Sequence, residues 1–239
     1  KNKSRIKNIQ VEKMKKIDIE NWSRKELFKL FNGYTNPCFT INTRLDVTEL
    51  YSYREKLKAI GADNGFFIPF TYLLCKALNK YAGFRYRIVG EEVYDCEFAN
   101  PSFTVALKDE NNDFAFVRAD DFSSYEAFAL EARKKMNEAI ENAKKGVKRQ
   151  ANDEDEVDVM FLSALPWLDV TEIYNPLPLE YRESLAIPRL NWGKCVLEAD
   201  RYKMTLSVTV SHALTDGYEV CKAINEFSEM LSKPEENLV

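Results

Sequence analysis

Residues 204 to 220 read MTLSVTVSHALTDGYEV, and this stretch decides how the rest of the chain is read. In its first half Leu206, Val208 and Val210 alternate with Thr205, Ser207 and Thr209, the period of two that sends one set of side chains to the buried face of a strand. Beyond the turn signal Asp216-Gly217, the residues Val220, Ala223, Ile224, Phe227 and Leu231 repeat as one helical stripe. Strand, tight turn and helix are therefore expected in that order, with His212, the only histidine in the chain, at the junction. Such junctions project side chains into clefts, although a lone histidine is more often a half-buried residue satisfied by a neighbour. Asp216 also has an ordinary role open to it, since Glu219 three residues on makes the segment close to a capping box.

Outward from this stretch the pattern stays mixed. Trp22, Leu27, Phe28, Leu30 and Phe31 suit a short amphipathic helix, which NGYTNP (32–37) ends before a strand in CFTINTRLDV (38–47). Leu73, Leu74, Ala77, Leu78 and Tyr81 predict a helix over 70–81, and RYRIVGEEVYDCEF (85–98) reads as two short strands about Gly90 and Glu91. SFTVALK (102–108) and DFAFVRA (113–119) form a second hairpin about the polar DENND (109–113), and Tyr125 to Lys145 is a long helix rich in good helix formers. GVKRQANDEDEVD (146–158) reverses charge without periodicity and is expected to be an exposed loop, whereas VMFLSALPW (159–167) is apolar enough for a central strand. Hairpins interleaved with helices, without a regular βαβ rhythm, indicate an α+β fold: a mixed β-sheet with flanking helices in a single domain over 17–239, after a basic tail at 1–16.

Composition narrows the partners. A formal net charge of -4 over 239 residues gives no general attraction to nucleic acid, and no apolar run approaches the roughly 20 residues that span a bilayer. Cys38, Cys75, Cys96, Cys195 and Cys221 are scattered and lack C-x-x-C spacing, so neither a disulfide framework nor a structural metal is expected. That usage fits a reducing, cytoplasmic setting, and the basic N-terminal stretch lacks the apolar core of a signal peptide. A Ser-His-Asp hydrolase with Ser163 or Ser211 as nucleophile fits poorly, because no G-x-S-x-G elbow is present.

His212-Ala213-Leu214-Thr215-Asp216-Gly217 matches the H-x-x-x-D-G signature of the chloramphenicol acetyltransferase family, which the acyltransferase core of dihydrolipoyl acyltransferases shares. Ser163-Ala164-Leu165-Pro166-Trp167 is similar to that family's S-A-x-P-W segment, at about the family distance upstream. Asn21-Trp22-Ser23-Arg24, completed by Phe28, resembles its N-W-x-R-x-x-x-F opening, and the likeness runs from Ile17 to Leu231. The resemblance implies a CoA-dependent acyltransferase fold, acetyl-CoA as co-substrate and a small hydroxylated acceptor, chloramphenicol first. It casts His212 as general base, a task suited to an imidazole near pKa ~6.5, and Ser163 as donor to the oxyanion. Arg24 and Asp216 are implied as an ion pair that steadies the histidine loop. Phe31, Tyr34, Cys38, Phe39 and Phe114 are implied on the acceptor side, and Asn191, Lys194 and Trp167 on the cofactor side. The family builds its site where subunits of a homotrimer meet and reacts through a ternary complex, without an acetylated enzyme.

Several positions depart from the family. Ser211 stands where many members carry a second histidine, and Phe31 falls near the tyrosine that offers a hydroxyl to chloramphenicol, with Tyr34 as a substitute. Asn191 replaces a threonine that holds a water, and Cys195 an aromatic residue at the adenine end. Two further readings stay open: acyl transfer to another small hydroxylated acceptor, and a trimeric binding scaffold without chemistry. The dihydrolipoyl acyltransferase reading is expected to fit less well, for want of a lipoyl domain and an Ala/Pro-rich linker.

Overall fold

The computed structural model describes residues 13–62, 65–107, 113–147 and 157–238. In chain order the elements are β1 (Lys15–Lys16), a 3-10 turn (Ile19–Asn21), α1 (Lys25–Asn32), β2 (Cys38–Asp46), α2 (Thr48–Ala59), α3 (Phe67–Leu78) and a second 3-10 turn (Ala82–Phe84). They continue with β3 (Tyr86–Val89), β4 (Glu92–Asp95), β5 (Asn100–Ala106), β6 (Phe114–Arg118), α4 (Tyr125–Lys144) and β7 (Val159–Ala164). The chain ends with α5 (Arg182–Leu185), β8 (Arg189–Trp192), β9 (Val196–Glu198), β10 (Arg201–Ser211), α6 (Gly217–Ser232) and α7 (Pro234–Asn237).

A seven-stranded sheet runs in the order β2-β10-β8-β7-β5-β6, with β9 pairing β10 beside β8. β7 pairs parallel with both β5 and β8, and the other ladders are antiparallel, which makes the sheet mixed as expected. A smaller sheet, β1-β4-β3, packs alongside. Fully buried Arg87 joins the two by donating to the carbonyl of Val159 at 2.6 Å. The expected tail thus enters the fold before residue 17, because Lys15 and Lys16 pair with Asp95 and Tyr94.

The core lies on one face of the large sheet. Leu206, Val208 and Val210 join Leu162, Leu190 and Trp192 there against α3 and α6, where Phe70 meets Trp192 at 4.8 Å and Phe227 at 5.1 Å. Burying side chains of this size stabilises by ~1.5–3 kcal/mol each. The opposite face carries Thr205, Ser207, Thr209 and Ser211, and they are buried too, the largest exposure being 3%. The 165–187 connection lies over them: Thr205 donates its hydroxyl to Val170 O, and Ser207 Oγ accepts the N–H of Ile173 at 3.1 Å. Covering a polar face is tolerable because the hydroxyls of Thr205, Ser207 and Thr209 are paired, whereas that of Ser211 has no partner among the described residues.

The expected helices and hairpins appear with shifted ends, while α2 and β8 are additions that the pattern did not mark. No helix among the described residues is long and apolar enough to cross a membrane. The DENND turn (residues 109–112) and most of the charge-reversing loop (148–156) lie outside the described residues.

Candidate active site

Register places the first part of the site. β10 ends with Ser211 opposite Cys38, and the next residue, His212, donates its N–H to Pro37 O at 2.8 Å. The imidazole lies flat on Phe31 of α1, with centroids 3.9 Å apart and planes 9° from parallel, and leans on Phe39 at 4.9 Å. Tyr34 touches Phe31 edge-on at 5.4 Å and is half exposed. Nδ1 of His212 is 3.1 Å from Thr215 O. Arg24 Nη2, a donor, stands farther from the same nitrogen at 3.5 Å; a carbonyl only accepts, so the nearer partner assigns the proton to Nδ1 and the lone pair to Nε2.

The turn after the ring is gripped by Arg24. Its guanidinium donates to His212 O and Thr215 O at 2.7 Å each, to Ala213 O at 3.2 Å and to Asp216 Oδ2 at 3.0 Å. Asp216 serves twice, because Oδ1 caps α6 by accepting the N–H groups of Tyr218 (3.1 Å) and Glu219 (3.2 Å). Burial pushes the Asp216 carboxyl up, but the Glu219 N–H, Arg24 and the Tyr218 N–H together hold it below the ordinary carboxylate range. Only half of the expected capping box forms, since the Glu219 carboxylate turns elsewhere. Asp216 pairs with Arg24 and not with the imidazole, which removes the third member that a hydrolase triad needs.

The second part of the site sits on neighbouring strands. Ser163, near the end of β7, is paired in parallel register with Asn191, which faces Ser207 of β10, which faces Asn42 of β2. Ser207 donates to Asn42 Oδ1, whereas no hydrogen bond within the described residues claims the Ser163 hydroxyl. Asn191 is 4% exposed and its Nδ2 has no partner among the described residues. An orphaned buried amide and, at the paired position, a hydroxyl without a partner among the described residues are two potential donors on one face of the sheet. Trp167 (73% exposed) and Lys194 lie just past the two strand ends, where Lys194 N–H bonds Leu168 O at 2.9 Å.

The two parts do not meet within a chain. From Ser207 the serine is two strand spacings of about 4.8 Å to one side, and the histidine is five residues of about 3.4 Å along β10, so they stand roughly 20 Å apart. Arg24, Phe31, Tyr34, Cys38, Phe39 and Asp216 gather round His212, whereas Ser163 is paired with Asn191, and Trp167 and Lys194 follow those two residues in the chain by four and three positions. Phe114 belongs to neither group; it is half exposed on β6, the sheet's far edge, against Phe116 at 5.4 Å. Burial raises the Cys38 thiol, with nearby Arg189 opposing in part, and pushes Cys195 up to about 11. Cavities of about 740 Å³ between β6 and α4 and about 820 Å³ beside α1 reach neither half.

A model of the family described as chloramphenicol acetyltransferase matches residues 12–228. The chain belongs to the chloramphenicol acetyltransferase family. Its relatives include chloramphenicol acetyltransferase 3 of Escherichia coli, 27% identical over 90% of this chain and 95% of that one. A chloramphenicol acetyltransferase of Campylobacter coli is also 27% identical, over 91% and 98%. A solved chloramphenicol acetyltransferase superposes with a TM-score of 0.75 at 28% identity, over 91% of this chain and 99% of its own. Membership makes the chain an acyltransferase enzyme with the CoA-dependent acyltransferase fold. The contribution of Thr215, whose carbonyl selects the tautomer, and the stacking of Phe31 under the ring went unseen in the sequence. Neither leaves a local signal, because one is a main-chain atom and the other depends on how α1 docks.

Proposed function

We propose that this member of the family is an acetyl-CoA-dependent O-acetyltransferase acting on a hydroxyl of chloramphenicol, and that it works in the cytoplasm as a homotrimer conferring resistance to the antibiotic. The observation that carries the reading is the Thr215 carbonyl on Nδ1, which leaves Nε2 as a base. In a ternary complex Nε2 takes the acceptor's hydroxyl proton while the oxygen bonds to the thioester carbonyl carbon. The tetrahedral oxyanion accepts hydrogen bonds from Ser163 and from the free amide of Asn191; a single such donor is commonly worth ~10²–10³-fold. Collapse breaks the carbon–sulfur bond, and the leaving thiolate recovers the proton from the imidazolium, giving acetyl ester and free CoA.

A separation of roughly 20 Å within one chain is too great for both groups to act on one carbonyl, which favours a site that takes His212 from one protomer and Ser163 from the next. Trp167 and Lys194, just past the ends of β7 and β8, would then border the CoA channel. A second acceptor is favoured by one observation: Phe31 lies flat on the base and offers no hydroxyl where the family's tyrosine stands.

Purified protein, acetyl-CoA and a panel of chloramphenicol and other small alcohols should release thiol, and His212→Ala should abolish it. Absence of thiol release with every acceptor would overturn the acetyltransferase, and release with the others alone would overturn the chloramphenicol assignment. Co-expressed His212→Ala and Ser163→Ala chains should regain both groups at roughly a quarter of the interfaces of a cyclic trimer. No recovery would refute the shared site.

A further inference from the structure

The turn that presents His212 is held from a second side by groups that acetyl transfer does not use. Thr215 is fully buried. Its carbonyl accepts from His212 Nδ1 and from Arg24, while its hydroxyl donates to Glu219 Oε2 at 2.8 Å. The other carboxylate oxygen, Oε1, accepts the N–H of Gly83 at 2.9 Å. Glu219 stands in the first turn of α6 and Gly83 in the 3-10 turn ahead of β3, 136 residues before it, so one carboxylate ties the histidine turn to a distant segment. Gly83 is the residue that allows this approach: a Cβ there would stand 2.4 Å from Thr215 Cβ and 2.8 Å from Glu219 Oε2.

We propose that Glu219 is a positioning residue for the base, a clasp that acts through Thr215 on the imidazole. Arg24 and Glu219 hold Thr215 at its two ends, carbonyl and hydroxyl. Anchored by side chain and by carbonyl, the Thr215 main chain cannot shift without breaking one of these bonds, and it carries the oxygen that keeps the proton on Nδ1. Arg24 alone leaves Thr215 hinged on its carbonyl, so that the oxygen can stay on the guanidinium yet drift from Nδ1, and the proton can then move to Nε2, where the ring is no longer a base. Misplacement by about 1 Å is enough to cost up to ~10²-fold in rate. The role rests on the reading of His212 as the base.

Because the chain contains one histidine, the ring nitrogens of the full-length protein give one pair of ¹⁵N resonances that can be read without substrate. The expected wild-type spectrum shows a protonated Nδ1 and a bare Nε2. Glu219→Ala and Thr215→Val, the second keeping volume and carbonyl while losing the hydroxyl, should both shift the pair toward a mixture of tautomers. Both should also lower kcat at least tenfold while KM for acetyl-CoA changes by less than about 2-fold. Glu219→Gln keeps an acceptor oxygen and should restore most of kcat. Should Glu219→Ala fail to fold, Thr215→Val against Glu219→Gln carries the same comparison. Wild-type resonances in Thr215→Val, or an equal loss in Glu219→Gln and Glu219→Ala, would overturn the clasp. If the spectra shift as described but no acceptor is ever acetylated, the proposed function fails and the clasp stands.

Discussion

Replacing Arg24 by alanine asks how much of the site one guanidinium holds together. It makes four hydrogen bonds into the histidine turn, and its side chain is 12% exposed against 40% for Asp216. With one partner this open, the ion pair is screened and contributes only ~0–1 kcal/mol. The carbonyls weigh more. Those of buried Ala213 and Thr215 each lose a charged donor that water cannot readily replace, at about 1.5 kcal/mol apiece, whereas half-buried His212 can recruit solvent. The sum is about 3–4 kcal/mol. For a domain of this size each kcal/mol moves the melting temperature by about 2–4 °C, so Arg24→Ala should melt about 10 °C lower. Thermal unfolding followed by circular dichroism measures it, and Arg24→Lys, with one ammonium in place of a fork, should recover only part. At a temperature where both proteins are folded, kcat should also fall about tenfold, because Thr215 O loses an anchor. A melting point within about 2 °C of wild type would refute the reasoning that the guanidinium, and not the packing of α1, holds the turn.

Three further outcomes are expected. Ser163→Ala should lower kcat by ~10²–10³-fold with no change in melting, since no hydrogen bond among the described residues depends on the hydroxyl. Asp216→Asn keeps an equally good N-cap but loses the charge. Because the Asp216 carboxyl is held low in the fold, its contribution is complete above the ordinary unfolded value near ~3.9 and is lost as pH falls through the folded one. Urea midpoints taken from about pH 7 down to pH 3 should therefore fall less steeply below about pH 4 in the variant than in wild type. Cys195, pushed up to about 11 by burial, should react slowly with a maleimide at neutral pH while exposed Cys221 reacts first, which intact-protein and peptide mass spectrometry would resolve.

The parts of the fold that could be read in the sequence are those whose signal is local. β10 announced itself because its two faces differ chemically, and α6 because its stripe faces one core. β8 did not, since its alternation of Arg189 and Asn191 with Leu190 and Trp192 lasts only four residues, too short a run to stand out. α2 was missed for a different reason: Leu50 is its only buried residue, so no apolar stripe marks it. Within the site, His212, Asp216 and Ser163 stood out by type and spacing. Asp216 is cap and ion-pair partner together, so the capping reading and the implied pairing with Arg24 meet on one carboxylate.

By itself the sequence determined which chemistry is present: one imidazole at a strand end, a carboxylate at a helix start, a serine closing a strand, and the periodicities that decide which face each residue takes. Tertiary structure decided who meets whom. Arg24 reaches the histidine turn from 188 residues away, Ser163 stands beside Asn191 through a parallel pairing, and His212 and Ser163 end two strands and about five residues apart on the same sheet. The physical reason is that side-chain period is set by the backbone over a few residues, whereas strand order and register are set by how distant segments bury their apolar faces together, and no local pattern records the outcome.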